Sequence, residues 1–303
     1  MISGLTICIP VFNESRYIQR AIESAVDQCE TILVSDNASD DGTYEICVEM
    51  ASKYENIRLY RNDKNIGALK NWRKLAREVQ SPYMMFLGAH DYLEEAYAAK
   101  CLEKMEEDDS NQICMGELWK SNEQGDIEID QRFAAWKGVG DDKCSRLRAF
   151  FYTKSPVFWL AYGIYRTETF QEMFFKELPV YGMDTFFIAN VLMRGKANIV
   201  RGAKYFAHIR GGSCAVEDTI ERMLGERGGA SAKSILQDYK LLKFECVCEG
   251  CAGKCLRTVE RFRSMVWFGT FRSSGKDYVY YLLYIPVKLA RRVRRLILKF
   301  SGL

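Results

Sequence analysis

Acidic side chains recur where short apolar runs end. TILVSD (31–36) closes on Asp36, and YMMFLG (83–88) is followed by His90 and Asp91. An acid at the carboxyl end of a strand can accept hydrogen bonds from the N–H and hydroxyl groups of a nucleoside. In VSDNASDDGT, an Asp turn with a helix cap accounts for Asp41-Gly42-Thr43 but leaves Asp36 unexplained. Imidazole and carboxylate side by side at His90-Asp91 suit a divalent cation that holds a diphosphate, with a plain turn as the competing reading. Asp184 precedes the apolar run TFFIANVLM and, taken alone, reads as a helix N-cap.

The elements that must place these residues alternate between two periods. Runs 5–12, 31–36, 57–61 and 83–88 read as buried strands, and 15–28, 43–54 and 68–79 as helices, the first with Ser15 available as its cap. Strand and helix in this alternation predict right-handed crossovers and a parallel sheet, with ligands beyond the carboxyl ends of the strands. Further along, 94–107 reads as a helix, 112–133 as a hairpin around residues 123–125, and 157–166 as a strand. Residues 184–194 read as a helix and 197–208 as one or two strands, after which the period is helical over 217–245, 255–271 and 277–300. The change near residue 215 is the one boundary signal.

Composition is that of an ordinary globular chain of 303 residues, 48% hydrophobic and 27% charged. With 43 basic and 40 acidic residues the net charge is +3, so no global field points to nucleic acid. The longest uncharged run, Met1 to Asn13, is far below the roughly 18 residues of a membrane span, and it lacks the basic start and cleavage site of a signal peptide. The expectation is a cytoplasmic chain whose 11 cysteines are free, buried thiols.

IPVFNESRYIQRAIESAVDQ, ILVSDNASDDGT, NDKNIGALKNWRKLA and YMMFLGAHDYL, in this order and spacing, resemble the inverting family-two glycosyltransferases of bacterial polysaccharide and lipopolysaccharide type. The resemblance implies an α/β GT-A fold, Rossmann-like, with a mostly parallel sheet flanked by helices and a helical C-terminal extension. The change near residue 215 divides the chain into an expected transferase domain over 1–215 and a helical extension over 216–303. The resemblance implies transfer of one sugar, most simply from a UDP-sugar, to a hydroxyl of a lipid-linked or lipopolysaccharide glycan. The Gln-x-x-Arg-Trp motif of the family's processive synthases is absent, which favours single addition. By position, Pro10, Phe12, Asn13 and Glu14 match the first nucleotide-contacting loop and Asp36 the acid that recognises the base. Asn65, Gly67, Lys70 and Asn71 match the segment against nucleoside and phosphates. The family's metal motif, commonly Asp-Ser-Asp-Asp, reads Gly88-Ala89-His90-Asp91 here. The resemblance therefore implies Mn²⁺ or Mg²⁺ held by Asp91, with His90 near the donor and His208 completing the metal shell. Asp184 matches the catalytic carboxylate that deprotonates the acceptor. A sugar nucleotidyltransferase is the weaker alternative, since IPVFNES lacks a Gly-rich basic loop. A nucleotide-sugar-binding protein with a decayed metal motif is the other.

Two features lie outside these motifs. Cys246, Cys248, Cys251 and Cys255 are close enough to ligate zinc but lack paired knuckles, so buried thiols are the simpler reading. In the tail 277–303, Leu289, Val293, Leu296 and Phe300 share an arc opposite Lys288, Arg291, Arg292, Arg294, Arg295 and Lys299. That is the pattern of an interfacial helix on anionic lipid, and it predicts a peripheral protein on the inner face of the cytoplasmic membrane. Packing on the domain or a homodimer contact are the alternatives.

Overall fold

In a computed structural model the described residues are 2–209, without 123, 135, 137–141, 153–156 and 176–182, together with 223. The helices expected beyond 217, the cysteine cluster and the basic tail lie outside them. The elements below belong to one compact unit.

The first half alternates as the periodicity predicts. Strand β1 (Leu5–Val11) is followed by α1 (Ile18–Ala25), β2 (Thr31–Asp36), α2 (Thr43–Lys53), β3 (Ile57–Arg61), α3 (Ala68–Glu78) and β4 (Tyr83–Phe86). Parallel strands covered on both faces must be apolar throughout, and β1, β2 and β4 are buried along nearly their whole length. Helix α1 buries Ile18, Ala21, Ile22 and Ala25, one stripe at helical spacing. Ser15 is not its cap: Tyr17 precedes the helix without a side-chain cap bond, and the Ser15 N–H donates to Asp41 Oδ2 at 3.0 Å. Pro10 is tolerated in a central strand because the β4 ladder ends at Cys8–Phe86, before the missing N–H is needed.

The strand order runs β3-β2-β1-β4, all parallel. The chain builds outward from β1 in one direction and then returns to its other side. Such a reversal opens a crevice at the carboxyl ends of the two strands where it occurs, here β1 and β4.

The second half is mixed. After β5 (Tyr92–Leu93) come α4 (Tyr97–Glu106) and β6 (Asn111–Ser121), which turns back through β7 (Ile127–Ile129) as the expected hairpin. Two short helices, α5 (Gln131–Ala134) and α6 (Lys143–Tyr152), are followed by a 3-10 segment (Val157–Tyr162), β8 (Ile164–Arg166) and α7 (Thr167–Phe174). Helix α8 (Met183–Arg194) and β9 (Lys196–His208) complete the described chain. The sheet continues from β4 through β8, antiparallel to both β4 and β6, and β6 runs parallel to β9. The two-residue β5 pairs antiparallel with the end of β9, Tyr92 with Phe206 and Leu93 with Tyr205.

The apolar run 157–166 is a strand only at its end. Gly163 turns the chain with its N–H on the Leu160 carbonyl, and the Tyr165 hydroxyl donates to the same carbonyl at 2.7 Å. A Cβ at Gly163 would sit 2.8 Å from Ile113, so the turn is pressed against β6. Beneath it, Phe86, Phe170, Phe174 and Phe187 form an aromatic core with centroids 4.7–6.2 Å apart. Each such pair adds about 0.5–1.5 kcal/mol beyond area burial. All five described free cysteines are buried. Burial pushes the Cys29, Cys47 and Cys114 thiols up to about 12. Among the described residues no helix is long and apolar enough to cross a membrane.

β6 and β9 are not in simple register. Gly116 pairs with Val200, but the next residue, Glu117, pairs with Lys204. At this irregularity a Cβ on Gly116 would lie 2.3 Å from the Ala203 carbonyl oxygen and 2.6 Å from the Tyr97 ring. Backbone cannot yield as a flexible side chain can, so Gly116→Ala is expected to cost about 1–3 kcal/mol. Urea unfolding should show a lowered midpoint at unchanged slope.

Candidate functional site

The loops after β1 and β2 are built as one unit. The Asn13 N–H donates to Ser39 Oγ at 2.9 Å, and its side chain exchanges two hydrogen bonds with Asp40, at 2.9 and 3.1 Å. Asn13 adopts φ 54, a left-handed conformation that Asn tolerates better than most residues. The Glu14 N–H donates to Thr43 Oγ1 at 2.8 Å. Asp41 accepts from the Thr43 N–H and hydroxyl and from the Ser15 N–H. Burial pushes the Asp41 carboxyl up, but the donors from Thr43 and Ser15 outweigh it and hold it at about 2, against an ordinary 3.8. Pro10 pairs with Ser35, one residue before the ladder of β1 and β2 ends at Val11–Asp36, and Phe12, 43% exposed, follows the strand.

Asp36 ends β2, fully buried. Its Oδ2 accepts the Ser39 N–H at 3.1 Å and lies 3.5 Å from Arg61 Nε, while Oδ1 has no hydrogen-bond partner. A buried acceptor left unmet costs about 1–3 kcal/mol, more when it is charged. Arg61, which the sequence reading did not single out, also donates to the Ser39 carbonyl at 3.2 Å and stacks over Tyr44 at 4.0 Å. The signal was available, since Arg61 ends β3 in register with Asp36.

Behind Asp36 lies a network of neutral amides. Asn37 Oδ1 accepts from Asn62 Nδ2 and the Ile66 N–H, each at 3.0 Å, and Asn37 Nδ2 donates to Asn65 Oδ1 at 2.8 Å. The Asn65 oxygen also takes the Gly67 N–H, which shapes the turn into α3, where Gly67 has φ 83. Asn71 is 2% exposed and turned inward: its amide donates to the Ser35 carbonyl, and its oxygen accepts from Ser35 Oγ and Asn62 Nδ2. Lys74 closes the network on Asn62 at 2.8 Å, while Lys70 is exposed in the first turn of α3.

Across the crevice, His90 and Asp91 follow β4. His90 Nδ1 lies 3.2 Å from Glu14 Oε1, joining the loops of β1 and β4, and His90 Nε2 lies 3.7 Å from Asp91 Oδ1. Arg20 of α1 donates to the His90 carbonyl at 3.3 Å and stacks over Tyr92 at 4.3 Å. Asp91 is 2% exposed. Its Oδ2 accepts the Tyr205 hydroxyl at 2.7 Å and its Oδ1 the His208 N–H at 2.9 Å. Burial pushes the Asp91 carboxyl up, against the lowering influence of His90 and these donors. The His208 ring lies 4.7 Å from the Tyr17 ring, and its Nδ1 3.4 Å from Ser121 Oγ. Both histidines thus reach the same corner.

Among the described residues no three His, Cys, Asp or Glu side chains converge as ligands. Both Asp91 oxygens already face hydrogen-bond donors. These residues do not fit a cation resident on protein ligands.

Asp184 lies in the first turn of α8, where the helix dipole favours an acid. It is close enough to Tyr165 that its charge, after burial, pushes that phenol up. The helix packs on the 3-10 segment, α6 and α7.

Residues 6–174 match the family described as "Glycosyl transferase family 2". The chain belongs to glycosyl transferase family 2. Over 181 residues it is 25% identical to the dolichyl N-acetyl-alpha-D-glucosaminyl phosphate 3-beta-D-2,3-diacetamido-2,3-dideoxy-beta-D-glucuronosyltransferase of Methanococcus voltae. That match covers 55% of this chain, which spans about half, 54%, of the archaeal protein. Among solved structures, S. aureus TarS 1–349 in complex with UDP-GlcNAc superposes with a TM-score of 0.59 at 15% identity, covering 94% of this chain and 77% of TarS 1–349. GalNAc-T7 with UDP, GalNAc and Mn²⁺ gives 0.55 at 16% identity, over 72% and 47% of the two chains. At these identities the likeness is one of fold, the GT-A arrangement expected from the sequence motifs.

The Asp41 latch yields a pH prediction. A carboxyl whose folded value is depressed stabilises the fold above its unfolded value and loses that contribution as pH falls through the folded one. Asp41→Asn is therefore expected to lower the urea midpoint most above pH of about 4. The gap to wild type should narrow as pH falls toward about 2, which denaturation curves across this range measure.

Proposed function

We propose that the chain transfers one sugar, with inversion, from a UDP-sugar to a hydroxyl of a lipid-linked or lipopolysaccharide glycan. The observation that carries this reading is the unmet Oδ1 of Asp36, a buried acceptor at the carboxyl end of β2 in a family-two chain. A nucleobase N–H is the kind of donor that would satisfy it. Pro10, Phe12, Asn13 and Glu14 border the same opening. Asn65, Gly67 and Lys70 border it at the start of α3, and the inward Asn71 steadies them. The UDP-GlcNAc bound by TarS supports the donor class. The name of the archaeal relative, which specifies a dolichyl phosphate sugar as acceptor, supports a lipid-linked acceptor.

In this reading Asp184 is the general base. As the acceptor oxygen attacks the anomeric carbon, its proton passes to an Asp184 carboxylate oxygen. A new C–O bond forms on the face opposite the breaking bond to the diphosphate, which leaves with the bonding electron pair. One base and one in-line displacement invert the anomeric centre. Fixed donors at the carboxyl ends of β1 and β4 would stabilise the charge developing on the leaving diphosphate better than mobile water. Residues 1–215 would carry the chemistry. The extension 216–303, through its basic tail 277–303, would hold the protein at the inner face of the cytoplasmic membrane.

Asp184→Asn is the decisive variant. It keeps the shape of the side chain but cannot take the proton, so kcat should fall by about 10²–10⁴ while UDP affinity stays within about twofold. Transfer from a panel of nucleotide sugars to lipid-linked acceptors, with calorimetry for UDP, measures both. A variant that keeps more than about a tenth of wild-type kcat would remove Asp184 from the role of base.

A further inference from the structure

We propose that Asp91, the acid left in the metal motif, is a positioning residue and not a cation ligand. Its carboxylate anchors the turn 87–91 to β9 and thereby holds His90 against Glu14, so the donor diphosphate is received without a protein-bound cation. The inference rests on the donor-binding reading above.

The first argument is space. Where the family motif commonly begins with an acid, this chain has Gly88, and a Cβ built there would lie 2.4 Å from Asp91 Oδ2. The Asp91 carboxylate has folded back into the volume that a side chain at position 88 would occupy. Glycine at 88 and the inward acid at 91 are one arrangement. It is closed by the backbone bond from the Asp91 N–H to the Gly88 carbonyl at 2.9 Å.

The second argument is electrostatic. The Tyr205 hydroxyl and the His208 N–H both direct hydrogens at this carboxylate, at 2.7 and 2.9 Å. A cation there would face the positive ends of two donor dipoles while competing for an acid that is 2% exposed. Divalent cations of this class also need several oxygen ligands. Hydrogen bonds to a charged acceptor are stronger than those between neutral groups, so turning the acid outward forfeits two of the stronger kind.

The third argument is mechanical. Asp91 is followed at once by β5, whose pairing of Tyr92 with Phe206 and Leu93 with Tyr205 fastens the chain to the same stretch of β9. His90 is the next residue in the other direction. Its ring lies between Asp91 Oδ1 at 3.7 Å and Glu14 Oε1 at 3.2 Å. A displaced Asp91 carries His90 away from Glu14 and opens the link between the two loops of the crevice.

Tyr205→Phe separates the two roles, because it deletes the hydroxyl that holds Asp91 without touching the motif. Calorimetric titration of UDP into the full chain, with chelator and with Mn²⁺, is expected to give dissociation constants within about twofold of each other. The electron paramagnetic resonance signal of free Mn²⁺ should fall no further with protein and UDP than with UDP alone. Asp91→Asn and Tyr205→Phe should each weaken UDP binding by about tenfold or more, as loss of a hydrogen bond to a charged acceptor implies. The effect should be the same in both buffers, and the double variant no weaker than either single one, because the two side chains act as one unit. Circular dichroism confirms that each variant is folded, and Tyr205→Phe carries the test if Asp91→Asn is not. Tighter UDP binding in Mn²⁺ that Asp91→Asn abolishes and Tyr205→Phe preserves would overturn the proposal alone. Absence of UDP binding in both buffers would overturn the donor reading and the proposal with it.

Discussion

The reversal of strand order between β1 and β4 is the constraint from which the site follows. Two adjacent parallel strands whose chains leave in opposite directions cannot both be covered by a crossover at their carboxyl ends, so a gap must remain there. In this protein the gap is spanned by the contact between Glu14 and His90, 3.2 Å apart. Each side of that contact is fixed by a different part of the fold. The loop carrying Glu14 is latched to the start of α2 through Thr43 and Asp41. The loop carrying His90 is fastened to β9 through Asp91 and β5.

Most of the groups that tie the loops after β2 and β3 together are neutral. Four asparagines, Ser35 and Ser39 supply the bonds that shape them. Amides both donate and accept, so they can satisfy loop backbone without the desolvation cost of buried charge. Asp36 is the fully buried acid among them. Its second oxygen remains without a partner, a local cost that a rigid surround can sustain.

The first half of the fold was legible because its signals are local. Apolar runs and helical stripes placed β1 to β4 and α1 to α3 within a residue or two at most ends, although α1 is shorter than its stripe suggested. Both histidines lie at strand ends, His90 after β4 and His208 at the end of β9, as the apolar runs suggested. What escaped the reading depends on distant partners. Ser15 looks like a cap, yet its N–H serves a carboxylate 26 residues away. The run 157–166 has strand composition, yet Gly163 pressed on Ile113 makes most of it a 3-10 turn. At Asp91 the sequence shows only an acid after a strand, and its hydrogen bonds with the Tyr205 hydroxyl and the His208 N–H, 114 and 117 residues on, are visible only in the packing.

The irregularity between β6 and β9 has a consequence for how this site can vary. Between the pairs Gly116–Val200 and Glu117–Lys204, β9 advances by four residues while β6 advances by one. Side chains alternate along a strand, so the extra residues act as a spacer that sets the phase of everything after them. With the present spacer, Leu118 faces Tyr205 and Trp119 faces Phe206. A spacer one residue shorter would bring Phe206 to the place of Tyr205 and present Asp91 with a ring that has no hydroxyl. Residues 201–203 of β9 lie at the far end of this stretch from the crevice, yet their number decides which aromatic residue meets the acid.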